Sequence, residues 1–163
     1  MSFMSLFGER FELVPVLVIA GVVIAIAVLG GLATDVQSTW YETLRKPEWQ
    51  PPGYLFGPVW TTLYILLIIS ASIAWHSTSG QHRTSIMILY ALNGALNLAW
   101  SFIFFRSRSP LVAGMDIIGV LLSIIWIIVR VWPISPVAAG LLIPYLLWVA
   151  FATVLNWTIV RMN

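Results

Sequence analysis

Five long apolar runs, separated by the chain's few charges, limit the possible folds more than any other feature of the sequence. They cover residues 13–34, 54–75, 84–105, 110–129 and 134–160. A hydrocarbon core takes about 20 apolar residues of helix to cross, and each run reaches that length. The fifth has a surplus that a tilt or a protruding end would absorb. Backbone in lipid must satisfy its own hydrogen bonds, so the runs are expected to be helices rather than strands. Only 9% of the residues are charged, against about 25% in soluble domains, which excludes a water-soluble fold. The expectation is an all-α integral membrane protein, a single transmembrane domain over residues 1–163 built as a bundle of five helices.

The first run is too long for the core of a secretory signal. Glu9 and Glu12 also flank Arg10 where a basic region belongs, so a retained helix is expected. With no cleavable signal, an inner (cell) membrane is the default expectation. Five spans place the termini on opposite sides. Arg45, Lys46, Arg106, Arg108 and Arg161 then share one side, and Arg10, Arg83 and Arg130 the other. The excess on the first side favours a cytoplasmic C-terminus. The chain has no cysteine, hence no disulfide framework or thiolate metal site. Its net charge of +2 is too small to argue for nucleic acid.

The connections after spans two, three and four are short, so consecutive helices should be antiparallel neighbours. Residues 35–53 form the one long connection. The stretch from Thr39 to Tyr64 that contains most of it holds three Trp, three Tyr, one Phe and four of the nine prolines. Long loops are usually functional or disordered, and Trp and Pro stiffen a chain. The expected object is an aromatic lid over about residues 35–53, with a ligand beneath it.

Helix-face arithmetic supplies the floor of that cavity. In the third span Ala91, Ala95 and Ala99 form a small-residue seam of the kind that lets membrane helices approach closely. Asn93, Asn97 and Trp100 lie roughly 180° away at 100° per residue. They either line a cavity or simply bond to neighbouring helices. In the fifth span Tyr145, Trp148, Ala152 and Asn156 fall within about 80° of arc, and Pro144 is expected to bend the helix near the aromatic pair. In the second span Trp60, Tyr64, Leu67 and Ala71 share a face. Aromatic stripes usually mean packing, but three of them under an aromatic lid favour a ligand cavity.

Asp116 is the one acid well inside a span. Intramembrane acids default to function, yet Asp116 equally fits the interface, paired with Arg106 or Arg108, if Ser109 caps the helix and Pro110 opens it. His76 and His82 flank a short loop and read as solvated, with no metal site around them. No Ser/His/Asp set, phosphate-binding loop or carboxylate pair supports a hydrolase or nucleotide-driven pump.

Four collinear blocks, WYETLRKPEWQPP, FGPVWTTLY, LNGALNLAWSFIFF and LLIPYLLWVAFATVLNW, resemble the TspO/MBR family of tryptophan-rich sensory proteins and translocator proteins (peripheral benzodiazepine receptors). The match runs from about Gly31 to the C-terminus; the first helix matches only in hydrophobicity. The resemblance implies a five-helix bundle, commonly a homodimer, with a pocket under the first loop. Family members bind porphyrins such as protoporphyrin IX and haem, and many bind isoquinoline-type drugs. By position, Trp60 and Trp148 correspond to the family's pocket tryptophans, Trp40 and Tyr41 to its loop pair, and Asn93 and Asn97 to its pocket asparagines. The Ala91/Ala95/Ala99 seam lies on the helix used for dimerisation in bacterial relatives. The family's sterol-recognition pattern is incomplete, because VLNWTIVR puts Trp157 where the pattern has Tyr, before Arg161. Sterol binding is therefore not carried over.

Three functions compete. A tetrapyrrole-binding sensor or carrier, with porphyrin or haem as ligand and no required cofactor, needs only the pocket. Light- and oxygen-dependent porphyrin degradation needs electron-donating tryptophans beside the macrocycle, with Trp60 and Trp148 as candidates. A transporter of small apolar compounds or sterols needs access from both sides. Indole and phenol faces suit a flat macrocycle, and Arg45 or Lys46 at the lid could meet its carboxylates or, alternatively, anchor the loop to anionic lipid.

Overall fold

A computed structural model describes residues 12–163; Glu9 and Arg10 lie outside the described residues. All regular elements found there are helical. Helix α1 (Leu13–Ala33) stops at Thr34, whose hydroxyl turns back to Gly30 O at 2.8 Å. Helix α2 (Thr39–Thr43) is one turn, capped by Ser38 Oγ, which accepts from Tyr41 N. After a 3₁₀ turn over Gly53–Leu55 comes α3 (Phe56–His76), with Pro58 in its first turn, where no backbone donor is missed. Helix α4 (Gly80–Ser101) widens into a π-helical turn over Phe102–Arg106, closed by the Ser107 N to Phe102 O bond. Helices α5 (Pro110–Val131), α6 (Pro136–Gly140) and α7 (Ile143–Met162) complete the chain.

Five helical segments are long and apolar enough to cross a membrane, at Leu13–Ala33, Gly53–His76, Gly80–Arg106, Pro110–Val131 and Pro136–Met162. They match the five expected runs. Two details of the sequence reading are corrected. The surplus of the fifth run is a separate turn of helix, α6, whose cap is Ser135 Oγ accepting from Ala138 N. The break falls at Gly140–Leu142, so Pro144 sits in the first turn of α7 and bends nothing. Ser109 does stand at the N-cap of α5, but its side chain makes no capping bond.

Consecutive long helices pack side by side, and α1 also lies against α4. At the end away from the long loop the bundle is solid. Ile86, Ile124, Ile127 and Val131 are buried there, and Ser70 joins three elements through Tyr90 Oη (2.7 Å) and Ala138 O (2.7 Å). Such small polar ties between helices stabilise packing where lipid offers no hydrophobic drive. The described chain begins and ends at opposite ends of the bundle. Glu12 N donates to His76 Nε2 (2.9 Å) at one end, and Asn163 grips the backbone of Arg45 at the other.

Candidate functional site

Toward the loop end the bundle hollows out into a cavity of about 720 Å³, inside the roughly 300–1,000 Å³ range of small-molecule sites. Helix α3 contributes Trp60 and Tyr64, α4 contributes Asn97 and Trp100, and α7 contributes Trp148, Ala152 and Asn156. The loop closes it from above with Tyr41, Lys46 and Gln50.

The rings form three connected groups. Trp60 leans on Tyr64 (centroids 5.5 Å apart) and meets Tyr145 edge-on at 6.2 Å. Trp100 stacks on Phe104 at 5.1 Å, and Tyr41 packs on Phe105 at 5.4 Å. Trp148 touches Phe56 (5.7 Å) and Phe151 (5.5 Å). Offset and edge-on pairs of this kind favour flat, apolar guests of similar geometry.

A polar network backs the wall. Asn93 is fully buried and saturated: its Nδ2 donates to Ser123 Oγ (2.8 Å) and Val120 O (3.3 Å), and its Oδ1 accepts from Tyr145 Oη (2.9 Å). Asn97 Nδ2 donates to Tyr145 Oη at 2.9 Å, while Tyr64 Oη approaches Asn97 Oδ1 at 3.5 Å. Trp100 Nε1 donates to Asn156 Oδ1 (3.0 Å), and Asn156 Nδ2 to Pro110 O (2.8 Å). Tyr145 thus locks both asparagines and joins α4 to α7.

Of the residues read from the sequence, Tyr41, Trp60, Tyr64, Asn97, Trp100, Trp148 and Ala152 line the cavity. Asn93 and Tyr145 stand one layer behind it. Trp40 packs edge-on against Phe104 at 5.9 Å and buttresses the loop from outside the lining. Ala91 and Ala95 are exposed and Ala99 half-exposed, so the seam faces outward as a strip open to a neighbour.

The loop is held by polar ties. Lys46 Nζ donates to the Tyr41 carbonyl and sits 4.2 Å above the Tyr41 ring, so its charge belongs to the cavity wall. Arg45 is exposed and outside the lining; its backbone N and O both bond the Asn163 amide at 2.9 Å. Gln50 Nε2 donates to Tyr41 Oη (3.3 Å), leaving its buried Oε1 with no partner among the described residues. A buried acceptor left open in a cavity wall calls for an explanation, and a donor on a ligand is the simplest one.

Two other sequence readings are revised. Arg106 donates to Leu32 O (2.7 Å) and leaves Asp116, whose buried Oδ2 has no hydrogen-bond partner among the described residues. His76 is no solvated loop residue: with Nε2 accepting from Glu12 N, its Nδ1 carries the proton given to Ser72 O (2.7 Å). Trp157 turns to α5, where its Nε1 donates to Gly114 O at 3.1 Å. Sequence reasoning also missed lining residues: the small Ala27, Gly30 and Gly31 of α1, and Phe104 and Phe105 of the π-helical turn. The Gly-Gly pair was the only signal for the first three.

The sequence profile of the TspO/MBR family matches residues 18–162. The chain is 37% identical over 147 residues to the tryptophan-rich protein TspO of Chlorobaculum tepidum, covering 88% of this chain and 92% of that one. It is 39% identical over 126 residues to the human translocator protein, covering 76% of this chain and 75% of that one. Protein CrtK of Rhodobacter capsulatus is 34% identical over 126 residues, with 76% of this chain and 78% of that one covered.

Proposed function

The chain belongs to the TspO/MBR family, and on that premise we propose that it is a membrane receptor or carrier for porphyrins such as protoporphyrin IX or haem. The observation that carries this is the cavity itself, apolar and ring-walled under an ordered loop, with few polar groups. Trp60 and Trp148 offer indole faces to a flat macrocycle. The amide of Asn97 and the open Gln50 Oε1 address its polar edge. Lys46 stands at the rim where a propionate would emerge, a charge-assisted pairing. A homodimer packed through Ala91 and Ala95, an inner-membrane location and a cytoplasmic C-terminus belong to the same proposal. The name translocator protein, borne by the human relative, favours movement of the ligand over storage alone.

Light-dependent porphyrin degradation is the second reading, favoured by the Trp60–Tyr64 and Trp60–Tyr145 contacts, which line up electron-rich rings beside the cavity. Titration of nanodisc-embedded protein with protoporphyrin IX, followed by the porphyrin's own absorbance, tests the binding. Saturable binding is expected, and Trp60→Ala should weaken it about tenfold, in line with roughly 0.5–1.5 kcal/mol per aromatic contact plus lost area. Equal affinity in Trp60→Ala sinks the stacking model. New absorbance products under illumination would favour degradation.

A further inference from the structure

The ring of helices has one weak seam. Helices α1 and α3, α4 and α5, and α5 and α7 pack closely, but the backbones of α3 and α7 scarcely meet. Away from the loop, α6 bridges to α3 through the Ser70 bond to Ala138 O. In the loop half rings cross the gap, Phe56 to Trp148 at 5.7 Å and Trp60 to Tyr145 at 6.2 Å.

On the outside of this seam lies an apolar groove of about 420 Å³, formed by Val59 and Thr62 of α3 and Leu147, Trp148 and Phe151 of α7. Thr62 and Leu147 are exposed on the bundle's outer surface, where the spans meet lipid. Trp148 lines both this groove and the central cavity. Its indole is the wall between them.

How that wall is held matters. Trp100 and Trp157 are pinned by hydrogen bonds to Asn156 Oδ1 and Gly114 O. Among the described residues nothing accepts from the Trp148 indole N–H, and apolar packing, including its contacts with Phe56 and Phe151, keeps it in place. The loop above the cavity is braced within itself by Lys46, Gln50 and Ser38, all bonded to Tyr41, and is tied to the end of α7 by the paired Asn163–Arg45 bonds. Displacing the loop as a unit breaks the Asn163–Arg45 pair; turning Trp148 breaks no hydrogen bond among the described residues.

We propose that the α3–α7 seam is a lateral portal, with Trp148 as its door, through which a flat apolar ligand dissolved in the bilayer passes from the outer groove into the cavity. This rests on the ligand-binding reading above and adds the route. A bridge across the outer groove, away from the cavity lining, changes rates and leaves equilibrium affinity alone, because it touches neither the bound nor the free state.

The chain has no cysteine, so a Val59→Cys/Leu147→Cys pair can be bridged in nanodiscs by a short bis-methanethiosulfonate, which forms reducible mixed disulfides. Stopped-flow mixing with protoporphyrin IX should show both association and dissociation slowed at least tenfold after bridging, with Kd unchanged and both rates restored by reduction. A parallel Arg45→Cys/Asn163→Cys bridge, fastening the loop, should leave the rates as in wild type. Thr62→Trp, which fills the groove without crosslinking, should slow both rates as the bridge does. Unchanged rates across the bridged seam together with slow rates under the fastened loop would overturn the portal and route the ligand beneath the loop. If the reduced protein shows no saturable binding at all, the binding reading fails, and the portal with it.

Discussion

Tyr145→Phe removes one oxygen and separates what the polar network does from what the cavity does. The Tyr145 hydroxyl donates to Asn93 Oδ1 and accepts from Asn97 Nδ2, both at 2.9 Å. The ring survives the substitution, so its edge contact with Trp60 is kept. Asn93 stays fixed by Ser123 Oγ and Val120 O but is left with a buried, unpaired Oδ1. Asn97 loses its only acceptor. In soluble cores an orphaned buried group costs about 1–3 kcal/mol. Interhelical bonds in membranes average nearer 0.6 kcal/mol, with a maximum of about 1.7. Two such bonds therefore set the expected loss at about 1–3 kcal/mol, toward the lower end. Reversible unfolding in mixed detergent measures it, and a cycle with Asn93→Ala isolates the coupling between the two side chains. Porphyrin Kd in folded Tyr145→Phe should stay within about threefold, less than 1 kcal/mol, because Tyr145 does not line the cavity. Unfolding indistinguishable from wild type, or strictly additive losses in the cycle, would refute the network.

Three further outcomes are expected. Lys46→Gln should weaken protoporphyrin IX by about ten- to a hundredfold, in line with the roughly 1.5–3 kcal/mol of a hydrogen bond to a charged group, and leave its dimethyl ester unaffected; equal losses for both would remove Lys46 from propionate recognition. Gly114→Ala places a Cβ 3.0 Å from Asn156 Nδ2 and 3.1 Å from Trp157 Cε2, so unfolding should show a loss of about 1–3 kcal/mol, the usual cost of overpacking. Ala95→Phe, on the exposed strip of α4, should abolish crosslinked dimers in nanodiscs, whereas intact dimers would place the interface elsewhere.

The five spans were legible because hydropathy alone decides whether a helix can lie in lipid. Helix faces were legible as directions. Asn93 and Asn97, one turn apart on one face of α4, did both turn inward, but only Asn97 reaches the cavity. Asn93 lies deeper, where α4, α5 and α7 cross and Ser123 and Tyr145 take up its amide. Periodicity gives the bearing of a side chain, and depth depends on where other helices cross. The α6–α7 break was hidden in a continuous apolar run, its only signs being Ser135-Pro136 and Gly140. The α1 wall was hidden for the opposite reason: a helix apolar on every side gives no face to read. Gly30 and Gly31 line the cavity by lacking side chains.

The central claim is that the space under the loop is where the ligand sits, and filling that space tests it most directly. Ala152 lines the cavity from α7 and its side chain is a single methyl group, so Ala152→Trp would put an indole into the volume while every native ring stays in place. Protoporphyrin IX binding to nanodisc-embedded Ala152→Trp, with folding checked by circular dichroism, should be lost. Wild-type affinity in a folded Ala152→Trp would contradict the account and put the ligand outside the cavity.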